Sequence, residues 1–165
     1  MPFPAAHLLS NHYNLTRDRY YRELDKASKS GGDIDGFVAY AIEGFVDGIR
    51  SQIAAVREQQ LSVAWVNFVH NVMAQFASGK ACDRQTDLVL AMPTDRRISR
   101  SELAGLNAEL AVQYAQTGPR TLARDLNRLE GAQLIRKVGR SDYRARIDQM
   151  SAFLPAIAPQ ANGDI

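Results

Sequence analysis

The chain has 165 residues, of which 45% are hydrophobic and 23% charged, and its formal net charge is +2. Such a chain is long enough for one ordinary domain or two small ones with a real core, in the manner of a soluble globular protein. Its near-neutral balance excludes wholesale polyanion binding and leaves a nucleic-acid surface only where positive charge is concentrated locally.

Cys82 is the sole cysteine, so no internal disulfide forms and a reducing cytoplasm is the simplest setting. His7, His12 and His70 are scattered, without a cysteine or carboxylate cluster at ligand spacing, and predict no metal site. The first residues, MPFPAAHLL, lack the basic region of a signal peptide. No window approaches the ~18 uninterrupted apolar residues of a spanning helix, so no membrane partner is expected.

In chain order, Pro2 and Pro4 predict an extended start, followed by a helical region through Asn11-His12-Tyr13. Residues 16 to 29 place Tyr20, Tyr21, Leu24 and Ala27 on one face of an amphipathic helix, which Ser30-Gly31-Gly32 stops. Asp33 or Asp35 then opens the next helix.

From Ile34 to Phe76 no proline intervenes, and apolar residues recur at Phe37, Ala41, Phe45, Ile49, Ile53 and Val56, then from Leu61 to Phe76. One rod of that length would run about 65 Å, which predicts a bend or break near Glu58-Gln59-Gln60. Gly36, Gly44 and Gly48 point to close helix packing. Trp65, Phe68, Val72 and Phe76 form an aromatic stripe that serves either a core or a partner helix, with the core favoured.

Ser78-Gly79-Lys80 reads as a linker. Beyond it, a helix from Asp83 to Met92 is stopped by Pro93, and Ile98 contributes a short strand residue. Ser99-Arg100-Ser101-Glu102 has capping-box spacing and opens a helix carrying Leu103, Leu106, Leu110 and Val112 to about Gln116.

The stretch from Thr117 to Ile147 concentrates the charge: eight basic side chains against three acidic ones, +5 in a chain that totals +2. Leu122, Leu126 and Leu129 lie four and three residues apart on one helical stripe, with Thr117 as cap, Pro119 in the first turn and Gly131 at the end. Residues 134 to 138 and 143 to 147 read as two strands around Gly139-Arg140-Ser141-Asp142. Helix, short strand, helix, turn, helix, hairpin is the winged helix-turn-helix order. A recognition helix would present Arg120, Thr121, Arg124 and Arg128 to double-stranded DNA, and the hairpin would add Lys137, Arg140, Arg144 and Arg146. Solvation of the arginines, or pairing with Asp125 and Asp142, is the structural alternative.

Residues 10 to 24, SNHYNLTRDRYYREL, followed by Gly32-Asp33 and the run Phe37-Val38-Ala39-Tyr40-Ala41-Ile42-Glu43-Gly44-Phe45, resemble the C-terminal helices of Fic-domain proteins. Members of that family typically carry a serine, an aromatic pair, an Asn-Arg pair and a Tyr-Tyr pair here, then an aromatic run ending in Glu-Gly, and many follow these helices with a winged helix. Thr16 stands where the family often has asparagine, and His12 where it often has an aromatic residue. The family's signature loop, His-Pro-Phe-x-Asp/Glu-Gly-Asn-Gly/Lys-Arg, is absent. That loop supplies the histidine base, the acidic metal ligand and the phosphate-binding backbone for transferring AMP from ATP to a protein hydroxyl.

The resemblance therefore implies a non-catalytic C-terminal module of a longer protein AMP-transferase. ATP and magnesium would belong to the parent core and no cofactor to this chain. The expected architecture is mainly α: a Fic-type helical segment over residues 1–78, a winged helix over 79–154 and a disordered tail over 155–165. Besides DNA, the partners left open are a Fic catalytic core, its protein substrates and a second copy through an apolar helix face, the chain then being an interaction module that positions or regulates that core. No phosphate loop, G-x-S-x-G elbow or H-E-x-x-H motif is present. The carboxylate pairs Asp33/Asp35 and Asp83/Asp87 are accounted for by capping and solvation.

Overall fold

The computed structural model describes residues 4–153, so the tail expected over 155–165 and the first three residues lie outside the described residues. The chain divides into two compact units, residues 1–58 and 59–165, with the division inside a helix and not at the expected linker after residue 78.

In the first unit, α1 (Pro4–Leu15) and α2 (Arg17–Lys29) precede the beginning of α3 (Asp35–Met73). Helix begins at Pro4, contrary to the extended start expected there, because proline's fixed φ and missing N–H suit a first helical turn. Gly31 and Gly32, both at positive φ, turn the chain out of α2. The Asp33 carboxylate accepts from the Asp35 backbone N–H at 3.0 Å and so starts α3.

Tyr40 is the buried centre of this unit. Its hydroxyl lies 2.5 Å from that of Thr16, the Arg19 guanidinium stands 4.9 Å from its ring centroid, and Tyr13 stacks on it at 5.8 Å. Gly44 and Gly48 are points of close approach: a methyl group at Gly44 would overlap the His12 imidazole, and one at Gly48 would press on Leu8. Gly36 has no such constraint.

The second unit begins with the C-terminal part of α3. The expected break near residues 58–60 is absent, and the helix runs unbroken through 39 residues. Trp65, Val69 and Met73 anchor it in the second unit's core, and Phe68, Val72 and Phe76 pack against that core, so the aromatic stripe is core-facing.

Next come α4 (Lys80–Ala91), β1 (Ile98–Ser99), α5 (Arg100–Leu103), α6 (Ala108–Thr117), α7 (Pro119–Gly131), β2 (Ile135–Val138) and β3 (Asp142–Ala145), then a 3₁₀ turn, Ile147–Phe153. The three strands form an antiparallel sheet in the order β1-β3-β2. Ile98, Tyr143, Ile135 and Ala145 point from it into a core completed by Leu88, Val89, Leu103, Leu110, Leu126 and Leu129.

The single helix expected from 100 to 116 is two helices. The Glu102 carboxylate accepts from the Ser99 backbone N–H at 3.1 Å and its hydroxyl at 2.6 Å, which fixes the first turn as the capping-box spacing predicts. The helix then stops, and Asn107 caps α6 by accepting from the Leu110 backbone N–H at 2.8 Å. An Asn side chain competing for backbone N–H groups favours a fresh helix start over continuation.

Candidate nucleic-acid interface

A single residue, Gly118 at φ 83, joins α6 to α7. With ψ 166 this conformation is open essentially to glycine and costs a side-chain-bearing residue about 1–3 kcal/mol; glycine removes the cost while Pro119 supplies the first turn. Thr117, expected to cap α7, instead ends α6, with its hydroxyl donating to the Gln113 carbonyl at 2.9 Å.

The buried side of α7 consists of Thr121, Leu122, Asp125, Leu126 and Leu129. Asp125, expected as a surface partner for the arginines, is instead 1% exposed. Its carboxylate accepts from Arg84 Nε at 2.8 Å, Gln85 Nε2 at 2.7 Å and the Tyr114 hydroxyl at 3.2 Å. The Arg84 guanidinium also lies 5.6 Å from the Tyr114 ring centroid. This network fastens α4, α6 and α7 together and fixes the rotation of α7 about its axis. The bond to Asp125 holds Arg84 firmly protonated, and burial together with the Asp125 charge raises the Tyr114 phenol well above its ordinary value.

Opposite that face, Arg120 and Arg124 are exposed, and neither has an ion-pair partner among the described residues. Arg128 is exposed as well, but its guanidinium lies 4.5 Å from the Phe76 ring centroid, a cation–π contact that ties it back to the body of the unit. Thr121 is buried and its hydroxyl donates to the Thr117 carbonyl at 2.9 Å, so it does not join the arginine face. Beside the start of α7 runs an open groove of about 830 Å³, with Ala104, Ala115, Pro119 and Leu122 in its lining and Arg100 at its edge.

On the hairpin, Arg140 is exposed in the turn after Gly139, which adopts φ 70. Arg136 and Arg144 are direct cross-strand partners and share a face of the sheet. Arg144 Nη2 donates to the Asp95 carbonyl at 3.5 Å, and Arg136 Nη1 lies 4.0 Å from Asp148. Lys137 is exposed on β2, while Arg146 is bonded to the Gln133 side chain.

The fold also brings a further basic residue to the hairpin. Arg97, immediately before β1, pairs with Asp142 at 3.7 Å and would stand opposite Arg144 if the β1–β3 register continued by one residue. The sequence signal was the Arg96-Arg97 pair just before Ile98, but only the pairing of β1 with β3 brings it to the hairpin.

No group of three or more His, Cys, Asp or Glu side chains among the described residues could hold a metal ion, and no helix there is long and apolar enough to cross a membrane. No protein-family model matches the chain, and neither curated proteins nor solved structures give a match.

Proposed function

We propose that the second unit is a winged helix-turn-helix that binds double-stranded DNA, with α7 as recognition helix and the β2–β3 hairpin as wing. The observation that carries this reading is the division of labour along α7. One face is locked by Leu122, Asp125, Leu126 and Leu129, and the other offers Arg120 and Arg124 with no ion-pair partner among the described residues. An immobilised helix with free guanidinium groups near its N-terminus suits a major groove, where arginine reads guanine and grips phosphate. Arg140 in the hairpin turn and Lys137 on β2 would meet the adjacent backbone.

The helix–strand–helix–helix–helix–hairpin order and the β1-β3-β2 sheet support the winged-helix reading. On the sequence resemblance of about residues 8 to 60, the module is the non-catalytic C-terminal part of a Fic-type protein AMP-transferase, working in the cytoplasm and bringing the catalytic core to its target or regulating it. ATP and magnesium belong to that core.

Gel-shift titration of random-sequence duplex at two salt concentrations tests the interface. Wild type is expected to bind, with affinity falling steeply as salt rises. The Arg120→Ala/Arg124→Ala pair should weaken binding and lower the salt slope by about one unit per lost phosphate contact. Arg128→Ala, held against Phe76, should change it less. Absence of duplex binding by wild type at low salt would sink the proposal.

A further inference from the structure

Within the first unit, α3 carries a second feature, on the side away from its own packing. Tyr40, Gly44 and Gly48 face α1 and α2, whereas Ile42, Val46, Ile49, Ile53 and Val56 lie on the opposite side at successive spacings of four, three, four and three. Ile42, Ile53 and Val56 are each at least 50% exposed. An average of 3.5 residues per repeat is the period that lets two helices pack along a continuous seam, and runs of apolar side chains this exposed mark contact surfaces.

The charges beside the seam identify the occupant. Glu43 and Arg50 lie seven residues apart on one flank, and the other flank carries Phe45 and Gln52. In a parallel pair each flank meets the opposite flank of its neighbour, so Glu43 and Arg50 would face uncharged residues. In an antiparallel pair each flank meets its own kind. With the two-fold axis between residues 47 and 48, Val46 packs on Ile49 of the second copy, Ile42 on Ile53 and Ala39 on Val56, each contact occurring twice. The same register sets Glu43 opposite Arg50 of the second copy, also twice. The surface is thus complementary to itself in shape and in charge, as a two-fold interface requires. Within one copy Glu43 accepts from Arg19 at 2.7 and 3.4 Å and Asp47 pairs with Arg50 at 3.3 Å; Glu43 and Arg50 each stay more than half exposed, which leaves room for a further contact across the seam.

We infer that this chain self-associates as an antiparallel dimer through the Ile42–Val56 face of α3, with reciprocal Glu43–Arg50 contacts. The inference is independent of the nucleic-acid reading, and Arg120→Ala/Arg124→Ala leaves the dimer unchanged.

Sedimentation equilibrium of the full chain should give twice the 18.3 kDa protomer mass, falling to one protomer on dilution. Arg50→Glu alone and Glu43→Arg alone should each be monomeric, with a helical circular dichroism spectrum and a cooperative melt to show that both stay folded, although both melt below the wild-type dimer and Glu43→Arg also loses its pair with Arg19. An equimolar mixture of the two variants should restore the dimer, because each then offers the other opposite signs at both contacts. Ile53→Asp should be monomeric alone and in every mixture. A wild type that stays monomeric at every concentration assigns the face to a different protein and overturns the inference. So does a dimer that ignores the charge reversals, or one that survives Ile53→Asp.

Discussion

Asp125 lies three residues after Leu122 and four before Leu129, so the helical period places it on the same stripe as the leucines that α7 buries. A carboxylate there is tolerable only because Arg84, Gln85 and Tyr114 supply its hydrogen bonds. Asp125→Ala strands the buried Arg84 charge, and a loss of about 3–5 kcal/mol in urea unfolding is expected. Duplex binding should fall with it, because the same bonds fix which way Arg120 and Arg124 point. The Tyr114 phenol adds a pH dependence. Burial, then the Asp125 charge, raise it above the ordinary 10.0, so the folded protein keeps a proton that the unfolded chain releases near that pH. The resulting stability is complete below pH 10 and is lost as the pH rises beyond it. The urea midpoint of wild type should therefore drop more between pH 9 and pH 11 than that of Tyr114→Phe.

Helices α5, α6 and α7 show where local rules suffice and where they compete. Capping-box spacing at Ser99–Glu102 and the proline at position 119 both act through neighbouring residues, and both do what the sequence predicts. The break before Asn107 was hidden because Leu103, Leu106 and Leu110 keep a helical period across it, while the cap that starts α6 comes from one amide side chain. The end of α7 is a further local contest. Gly131 lies inside the helix with open space where a Cβ would go, and Gln133 takes the left-handed position at φ 60. The Leu134 backbone N–H then closes the end on the Leu129 carbonyl at 3.0 Å. Gly131→Ala thus meets no obstacle and should stabilise the second unit by about 0.5–1 kcal/mol, measured as a rise of a few degrees in melting temperature.

For the molecule as a whole, the proposed role is that of a targeting and docking module, and it predicts that the chain by itself transfers no AMP. Incubation with labelled ATP, magnesium and candidate acceptor proteins should leave no label on protein, and label transferred by the isolated chain would refute the assignment. The mainly helical class, the basic hairpin and the short strand at Ile98 were legible because periodicity, turn chemistry and charge density act over a few residues. The same periodicity named Leu122, Leu126 and Leu129 as core and left Arg120 and Arg124 outside. Tertiary structure decided what depended on residues far apart. Arg84 reaches Asp125 across 41 positions, Phe76 captures Arg128, and pairing of β1 with β3 brings Arg97 to the hairpin. Helix α3 runs unbroken through residues 58–60 because Glu58, Gln59 and Gln60 are good helix formers, while Trp65 and Val69 anchor the turns that follow in the second unit's core. The sequence by itself determined which side of each helix is apolar and where charge gathers, since both follow from the spacing of neighbours. Only the fold decided which charged groups are neutralised inside and which remain free to act, because a partner from another element contributes only once packing has brought it within bonding distance.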